Sequence, residues 1–167
     1  MSFTTSTPAG PVEQTAPPEV LASDLCWLLG RANQLLNAEF STALEASGIS
    51  PRQHTVLVTA LTGEHTQTDL ARIVGLDKTT MMVTLDELER AGLAERRPLP
   101  SDRRARIVAV TAAGRGKVQE AEEVLDRVRG EVLSILPDDQ RQSFLQSLGQ
   151  LACTQRSGTG DCAGPQI

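Results

Sequence analysis

The residues whose type and spacing most clearly suggest chemistry are six arginines between positions 90 and 106: Arg90, Arg96, Arg97, Arg103, Arg104 and Arg106. Only Glu95 and Asp102 carry negative charge in that stretch. Clustered guanidinium groups repel one another unless a polyanion lies against them, and their planar fork suits phosphate oxygens. The chain has a net charge of -5, but a local basic segment can neutralise phosphates while the acidic remainder stays soluble. The cluster therefore predicts contact with nucleic acid; a merely solvated charged turn is the alternative.

A second candidate surface lies on one face of residues 77–90. Met81, Leu85 and Leu88 recur at helical spacing and predict the buried face. The opposite face carries Lys78, Thr79, Met82, Val83 and Asp86. Exposed threonine, methionine and valine are unusual against water, but methyl groups and hydroxyls suit base edges in a DNA major groove. The alternative is an ordinary packed helix with a few apolar residues on its surface.

These two surfaces must be positioned by a mainly helical chain. Hydrophobic residues make up 40% of the 167 residues, yet there are three Phe, one Trp and no Tyr, so the core must consist of aliphatic side chains, which favour helices. The periodicity predicts a long helix over residues 18–47 that ends at Gly48. A second helix is predicted to begin at Ser50-Pro51, a capping residue followed by proline, and to run through Leu61.

The middle of the chain predicts a helix-turn-helix followed by a hairpin. Thr66 and Asp77 have the residue types that cap helix N-termini, and Gly75 separates the two short helices that they open. Residues 93–110 then change to two short strands around a Pro/Ser/Asp turn. The predicted fold class is mainly α with a small β-hairpin wing: a winged helix-turn-helix core with terminal dimerisation helices.

The segment 111–136 carries a stripe of apolar residues at steps of three and four: Val118, Ala121, Leu125, Val128, Val132 and Ile135. A last helix is predicted to begin at Pro137 and to carry Phe144, Leu148 and Leu151 as its stripe. The apolar stripes of the first and last helices exceed what one winged-helix core can cover, so a homodimer is predicted. The expected organisation is a disordered arm at 1–17, a winged-helix domain at 18–153 and a flexible tail at 154–167. Within that domain the core spans about 50–111, and dimerisation helices span about 18–47 and 111–153.

The sequence lacks the residue patterns that are typical of disulfide-bonded proteins, metal sites and enzymes. The odd number of cysteines, at wide spacing, favours neither a disulfide framework nor a metal site, and His54 and His65 have no ligand partners at suitable spacing. No nucleophile, Walker or dinucleotide motif occurs, so neither an enzyme nor a cofactor is expected. Because no export signal or membrane-length apolar run is visible, the expected location is the cytoplasm.

The segment 68–111 resembles the winged-helix core of MarR/SlyA-type transcription regulators. The resemblance rests on several short motifs: Asp69-Leu70-Ala71, Leu88-Glu89-Arg90-Ala91-Gly92-Leu93, Arg96-Arg97, Ser101-Asp102-Arg103-Arg104-Ala105 and Val110-Thr111. It implies a homodimeric regulator, expected to be a repressor, that binds pseudo-palindromic duplex DNA and responds to a small-molecule effector.

The resemblance also implies roles for individual residues. The recognition residues would be Lys78, Thr79, Met82 and Val83, and the phosphate contacts of the preceding helix would be Thr66, Gln67 and Thr68. In the wing, Asp102 would brace an arginine, Arg103 would meet the DNA backbone and Arg104 would enter the minor groove. The other wing arginines expected to contact DNA are Arg97 and Arg106.

Two further sites follow from the same resemblance. An effector pocket is expected between the dimerisation helices and the winged core, lined by residues such as Trp27, Arg31 and His54. The segment around Cys26 is similar to the Leu-Cys-aromatic segment of regulators that sense organic hydroperoxides, but those activate the thiol with tyrosines, which this chain lacks. A buried cysteine acting as a small hydrophobe is the alternative for Cys26. The alternatives for the whole chain are a thiol-based peroxide-sensing regulator and a winged-helix protein-interaction module without DNA binding.

Overall fold

The computed structural model describes residues 18–99 and 102–153, and it describes 102–105 by their backbone alone. The expected disordered arm at 1–17 and the expected tail at 154–167 therefore lie outside the described residues. The chain divides into two compact units, residues 1–36 and residues 37–167.

Within the first unit, the expected continuous helix is interrupted. A 3₁₀ turn covers Glu19–Leu21, and helix α1 (Leu25–Leu44) begins only after Asp24. The Asp24 carboxylate accepts a hydrogen bond of 2.6 Å from the backbone N–H of Trp27, which satisfies a free donor of the new helix. An aspartate that caps a helix in this way favours a non-helical backbone at its own position, so a helix does not continue through it. The periodicity of apolar residues did not reveal this break.

The second unit begins within α1 and contains the winged-helix core. Helix α2 (Pro51–Leu61) is opened by Ser50 and Gln53, whose side chains and backbone N–H groups cap each other reciprocally. Helices α3 (Gln67–Val74) and α4 (Lys78–Arg90) follow, and Gly75 joins them with φ +74, a conformation that glycine adopts without strain. The buried core around these helices includes the following fully or almost fully buried side chains: Leu44, Val56, Leu57, Leu70, Met81, Leu85, Leu88 and Leu125.

A two-stranded antiparallel sheet follows α4. Strand β1 (Ala94–Leu99) pairs with β2 (Asp102–Val110) in a register that sets Arg96 opposite Val108, and the register shifts between Pro98 and Leu99. Both strands lie within residues 93–110, where the sequence predicts them. The fold class is confirmed: six helices with a hairpin between the fourth and the fifth in the described part of the chain.

Two helices complete the described chain, α5 (Ala112–Leu133) and α6 (Asp138–Cys153). The predicted stripe of α5 is buried at Val118, Ala121 and Leu125, but its exposure then increases until Ile135, just past the helix, is 82% exposed. Helix α6 has no buried residue. No helix among the described residues combines the length and the apolar character that a membrane crossing requires.

Candidate nucleic-acid interface

The N-terminus of α3 is held by a reciprocal cap. The Thr66 hydroxyl accepts a bond from the backbone N–H of Asp69 at 3.2 Å, and the Asp69 carboxylate accepts one from the N–H of Thr66 at 3.2 Å. Hydrogen bonds from the Thr66 hydroxyl and backbone hold the pKa of the Asp69 carboxyl below its usual range. Of the three predicted phosphate contacts, Thr68 is exposed, while Thr66 and Gln67 are half-buried.

Helix α4 presents the four predicted recognition residues together. Asp77 caps the helix by accepting from the backbone N–H groups of Thr79 and Thr80, both at 2.9 Å. The bonds from Thr80, led by its hydroxyl, lower the pKa of the Asp77 carboxyl. The helix buries Met81, Thr84, Leu85 and Leu88. Its exposed residues include Lys78, Thr79, Met82 and Val83.

The wing is anchored beside the start of α3. The backbone N–H of Val108 donates to the carbonyl of His65 at 3.0 Å, and Thr66 forms an isolated β-bridge with Ile107. The base of the wing and the N-terminus of α3 are therefore tied through backbone groups. Since Leu70 of α3 and Met81 of α4 also lie in the same buried core, the three predicted contact elements belong to one packed unit.

Two of the predicted wing arginines are visible as side chains. Arg97 is exposed and forms an ion pair with Glu95 on the same strand, and Arg106 is also exposed. The side chains of Asp102, Arg103 and Arg104 lie outside the described residues, and so does the predicted bracing contact of Asp102.

Sequence reasoning missed the role of Arg96. Its guanidinium contacts two acidic side chains of α4, Asp86 and Glu89. The available signal was the i, i+3 spacing of Asp86 and Glu89 on a predicted helix that runs directly into the strand with Arg96. The balance of charges within residues 90–106 does not reveal such a pair, because Asp86 and Glu89 precede that segment.

The predicted effector residues lie in both units. In the first unit, Arg31 donates to the side chain of Gln34 at 3.1 Å and Trp27 is half-buried. In the second unit, His54 is 5% exposed, and its Nε2 lies 3.0 Å from Oε1 of Glu122 in α5 without the alignment of a hydrogen bond. Burial lowers the pKa of His54 against the opposing effect of the Glu122 carboxylate.

Cys26 lies near the start of α1 and is exposed in the single chain, whereas the structural alternative expected a buried thiol. A groove of about 570 Å³ lies between the end of α2, the wing and the start of α5. Its lining includes Glu64, Arg97 and Arg115 but not His54. The groove is therefore distinct from the pocket that the sequence predicted around His54.

Comparison with known proteins identifies the same fold. A sequence model described as MarR family matches residues 47–105. CouR from Rhodococcus jostii RHA1, solved with bound p-coumaroyl-CoA, is 29% identical and has a TM-score of 0.74, with 84% of this chain and 100% of that chain covered. A MarR-family transcriptional regulator from Rhodococcus sp. RHA1 is 28% identical, with a TM-score of 0.74 and coverage of 81% and 97%.

CouR, described as a transcriptional repressor, has also been solved with a 23-mer DNA duplex. That structure is 27% identical to this chain, with a TM-score of 0.75 and coverage of 83% and 99%. The matched region at 47–105 contains α2, α3, α4 and β1. The expected resemblance to MarR-type winged-helix regulators is confirmed.

Proposed function

We propose that this MarR-type winged-helix transcription regulator is a homodimeric repressor that binds a pseudo-palindromic DNA site and leaves it when a small-molecule effector binds. The observation that carries the proposal is the outward face of α4. Met82 and Val83 are 46% and 44% exposed there, beside Lys78 and Thr79. A face of this kind suits the major groove, where apolar groups contact thymine methyls and lysine or threonine reaches polar base edges.

The remaining predicted contacts extend this surface. Thr66, Gln67 and Thr68 would contact phosphates through the first turn of α3, where free backbone N–H groups favour anions. Arg97, Arg103 and Arg106 would meet the DNA backbone, and Arg104 would enter the minor groove with Asp102 bracing the wing. CouR bound to a DNA duplex supports this assignment for a protein of the same fold.

The homodimer is supported by the apolar residues that the single chain leaves exposed. Phe144, Leu145 and Leu151 of α6 are 46%, 50% and 55% exposed, and Ile135 precedes them at 82%. A second copy would cover these residues in an isologous interface. Two recognition helices related by a two-fold axis would then read two half-sites, which explains why the DNA site should be pseudo-palindromic.

A small-molecule effector is proposed, with Trp27, Arg31 and His54 kept as its candidate contact residues. CouR with bound p-coumaroyl-CoA supports a small-molecule effector in a protein of this fold. An effector that favours one spacing of the two recognition helices would shift the population away from the DNA-binding state. Each of the three residues would be replaced by alanine. If a variant keeps a normal response to the effector, the replaced residue does not contact the effector.

One arginine variant and one lysine variant test the proposed DNA binding. A duplex would be selected from a random pool by the purified protein and titrated at several salt concentrations. Arg104→Ala should weaken binding by about 1 to 3 kcal/mol and flatten the salt dependence by about one unit of slope, because a cation in the minor groove is lost. Lys78→Ala should instead relax the sequence preference.

Lys117→Ala is the matched control for loss of a cation. Lys117 is half-buried on α5, outside the proposed contact elements, and pairs with Glu120, so its removal should leave DNA binding unchanged. If Arg104→Ala keeps the affinity and the salt slope of the wild type, the wing does not contact DNA. If the wild type binds no duplex at all, the chain acts instead as a winged-helix protein-interaction module.

Peroxide sensing through Cys26 is the second candidate, because the thiol is exposed. In that case peroxide would release DNA from the wild type but not from Cys26→Ser. The absence of tyrosines in the chain favours the small-molecule effector.

A further inference from the structure

Arg96 connects the wing to the recognition helix. Its Nη2 lies 2.8 Å from Oδ1 of Asp86, and its Nη1 forms an ion pair with Oε2 of Glu89. The backbone N–H of Arg96 also donates to Oε1 of Glu89 at 2.8 Å. One arginine in β1 thus makes three charge-assisted contacts with two carboxylates of α4. Such bonds are stronger and more directional than neutral ones.

The two carboxylates lie on the same face of α4 as the proposed recognition residues. Thr79, Met82, Asp86 and Glu89 follow one another at steps of three or four, so they form one row along the helix. Unpaired carboxylates in this row would repel the phosphates of a bound duplex. Arg96 neutralises part of this charge and uses it to hold the wing.

The neighbouring Arg97 shows that this arrangement is specific to Arg96. Adjacent residues of a strand point to opposite faces, and Arg97 pairs with Glu95 on its own strand. The side chain of Arg97 is 61% exposed, whereas that of Arg96 is 26% exposed. Two consecutive arginines therefore occupy different environments: one is available to a ligand, and the other is engaged by α4.

We propose that Arg96 is a positioning residue for DNA binding, which fixes the wing relative to the recognition helix so that both reach the same duplex together. The inference rests on the proposed function. A wing that is already held in place does not lose freedom when DNA binds, so the second contact follows the first at a high effective concentration. Arg96 itself would contact neither a base nor a phosphate.

The test uses Arg96→Lys, which keeps the positive charge but cannot form the planar two-carboxylate contact. Binding would be measured by fluorescence anisotropy on the duplex selected by the wild type and on an unrelated duplex of equal length. Affinity for the selected duplex should fall about tenfold, since groups that share one ion-pair network couple by an amount of this order. The affinity for the unrelated duplex, the salt slope and the selected sequence should stay unchanged.

Glu89→Gln separates positioning from charge. This variant removes a negative charge from the proposed DNA-facing row, so electrostatics alone would make it bind DNA more tightly. Positioning requires the opposite result for the selected duplex, because the ion pair that holds the wing is lost. Circular dichroism and thermal melting would verify that both variants are folded.

Three results would overturn the inference: unchanged affinity of Arg96→Lys for the selected duplex, tighter binding by Glu89→Gln, or a changed base preference at one position. The last result would mean that Arg96 reads a base directly. Failure of the wild type to bind any duplex would instead contradict the proposed function, so the two failures are distinguishable.

Discussion

The winged core and the last helix, α6, carry similar apolar stripes, yet the described part of the chain covers only the stripe of the core. In the core, Leu57, Leu70 and Met81 are 0% exposed. In α6, by contrast, Phe144 and Leu145 are 46% and 50% exposed although they also recur at helical spacing with other apolar residues. A periodic stripe predicts that a helix face will be covered, but it does not say whether the same chain or another molecule covers it.

The change from one situation to the other occurs within α5. Ala121 and Leu125 in the middle of the helix pack into the core at 0% and 2% exposure, and the stripe continues to residues that the described chain does not cover. A single helix thus packs into the core over one part of its length and leaves apolar residues exposed to a partner near its C-terminal end. Substitutions at three places should test this contrast: on the exposed stripe of α6, at the start of α5 beside the wing, and inside the core.

The largest effect is expected for Leu145→Glu. In an isologous dimer each substitution occurs twice, so two carboxylates would be placed in an apolar interface. The penalty for burying such groups should raise the dissociation constant of the dimer at least about a thousandfold. Analytical ultracentrifugation at micromolar concentration would then detect a folded monomer.

Leu61→Glu is the control for this substitution. Leu61 ends α2 and is 42% exposed, close to the value for Leu145, but it lies outside the terminal helices. This variant should remain dimeric. Dimerisation of Leu145→Glu with the affinity of the wild type would show that α6 is not part of the interface.

An intermediate effect is expected for Gly114→Ala at the joint between the wing and α5. The Thr111 hydroxyl donates to the carbonyl of Gly92 at 2.7 Å. This bond holds the start of α5 against the turn that follows α4. A Cβ at position 114 would lie 2.1 Å from the carbonyl oxygen of Leu93, which is backbone and cannot turn away. Overpacking of this kind should lower the free energy of unfolding by about 1 to 3 kcal/mol.

Gly116→Ala is the matched control on the same helix. A Cβ at position 116 meets nothing within 4 Å, so alanine should raise the free energy of unfolding by about 0.5 to 1 kcal/mol through its higher helix propensity. Urea denaturation at one fixed protein concentration would compare the two variants. Equal stability of both would mean that the backbone at the joint can relax.

The features that the sequence predicted well are those that depend on neighbouring residues. The caps at Ser50, Thr66 and Asp77 and the left-handed glycines at 48 and 75 were predictable because each satisfies backbone groups within a few positions. The missed interruption before Asp24 is also local, but the apolar periodicity through residues 18–47 masked it.

Other features depend on tertiary structure and could not be predicted in the same way. The contacts of Arg96 require knowledge of how β1 lies against α4, because its partners are seven and ten positions away. By contrast, the exposed face of α4 was predictable, because helical spacing alone separates it from the buried face. The contact between His54 and Glu122 joins residues far apart in the chain, and neither residue has a local signal for it.

The smallest effect concerns His54, a titratable exception within the buried core. Two charged groups of α5 face it: the Glu122 carboxylate, which favours the protonated imidazole, and the Arg129 guanidinium, which disfavours it and pairs with Glu122 at 2.7 Å. Asp126 pairs in turn with Arg129 at 2.6 Å. Burial outweighs the attraction of Glu122, so the pKa of His54 is lowered and the folded chain favours neutral histidine.

The sign of the pH dependence follows from this direction. As the pH falls below the ordinary histidine value of about 6.5, the unfolded chain takes up a proton that the folded chain resists, so the free energy of unfolding decreases until the lowered pKa is passed. His54→Gln removes this loss, while His65→Gln retains it. Between about pH 7.5 and about pH 5.5, the Tm of the wild type should therefore fall further than that of His54→Gln, in parallel with His65→Gln. Equal decreases in Tm for the wild type and His54→Gln would mean that the Glu122 carboxylate compensates the burial of His54.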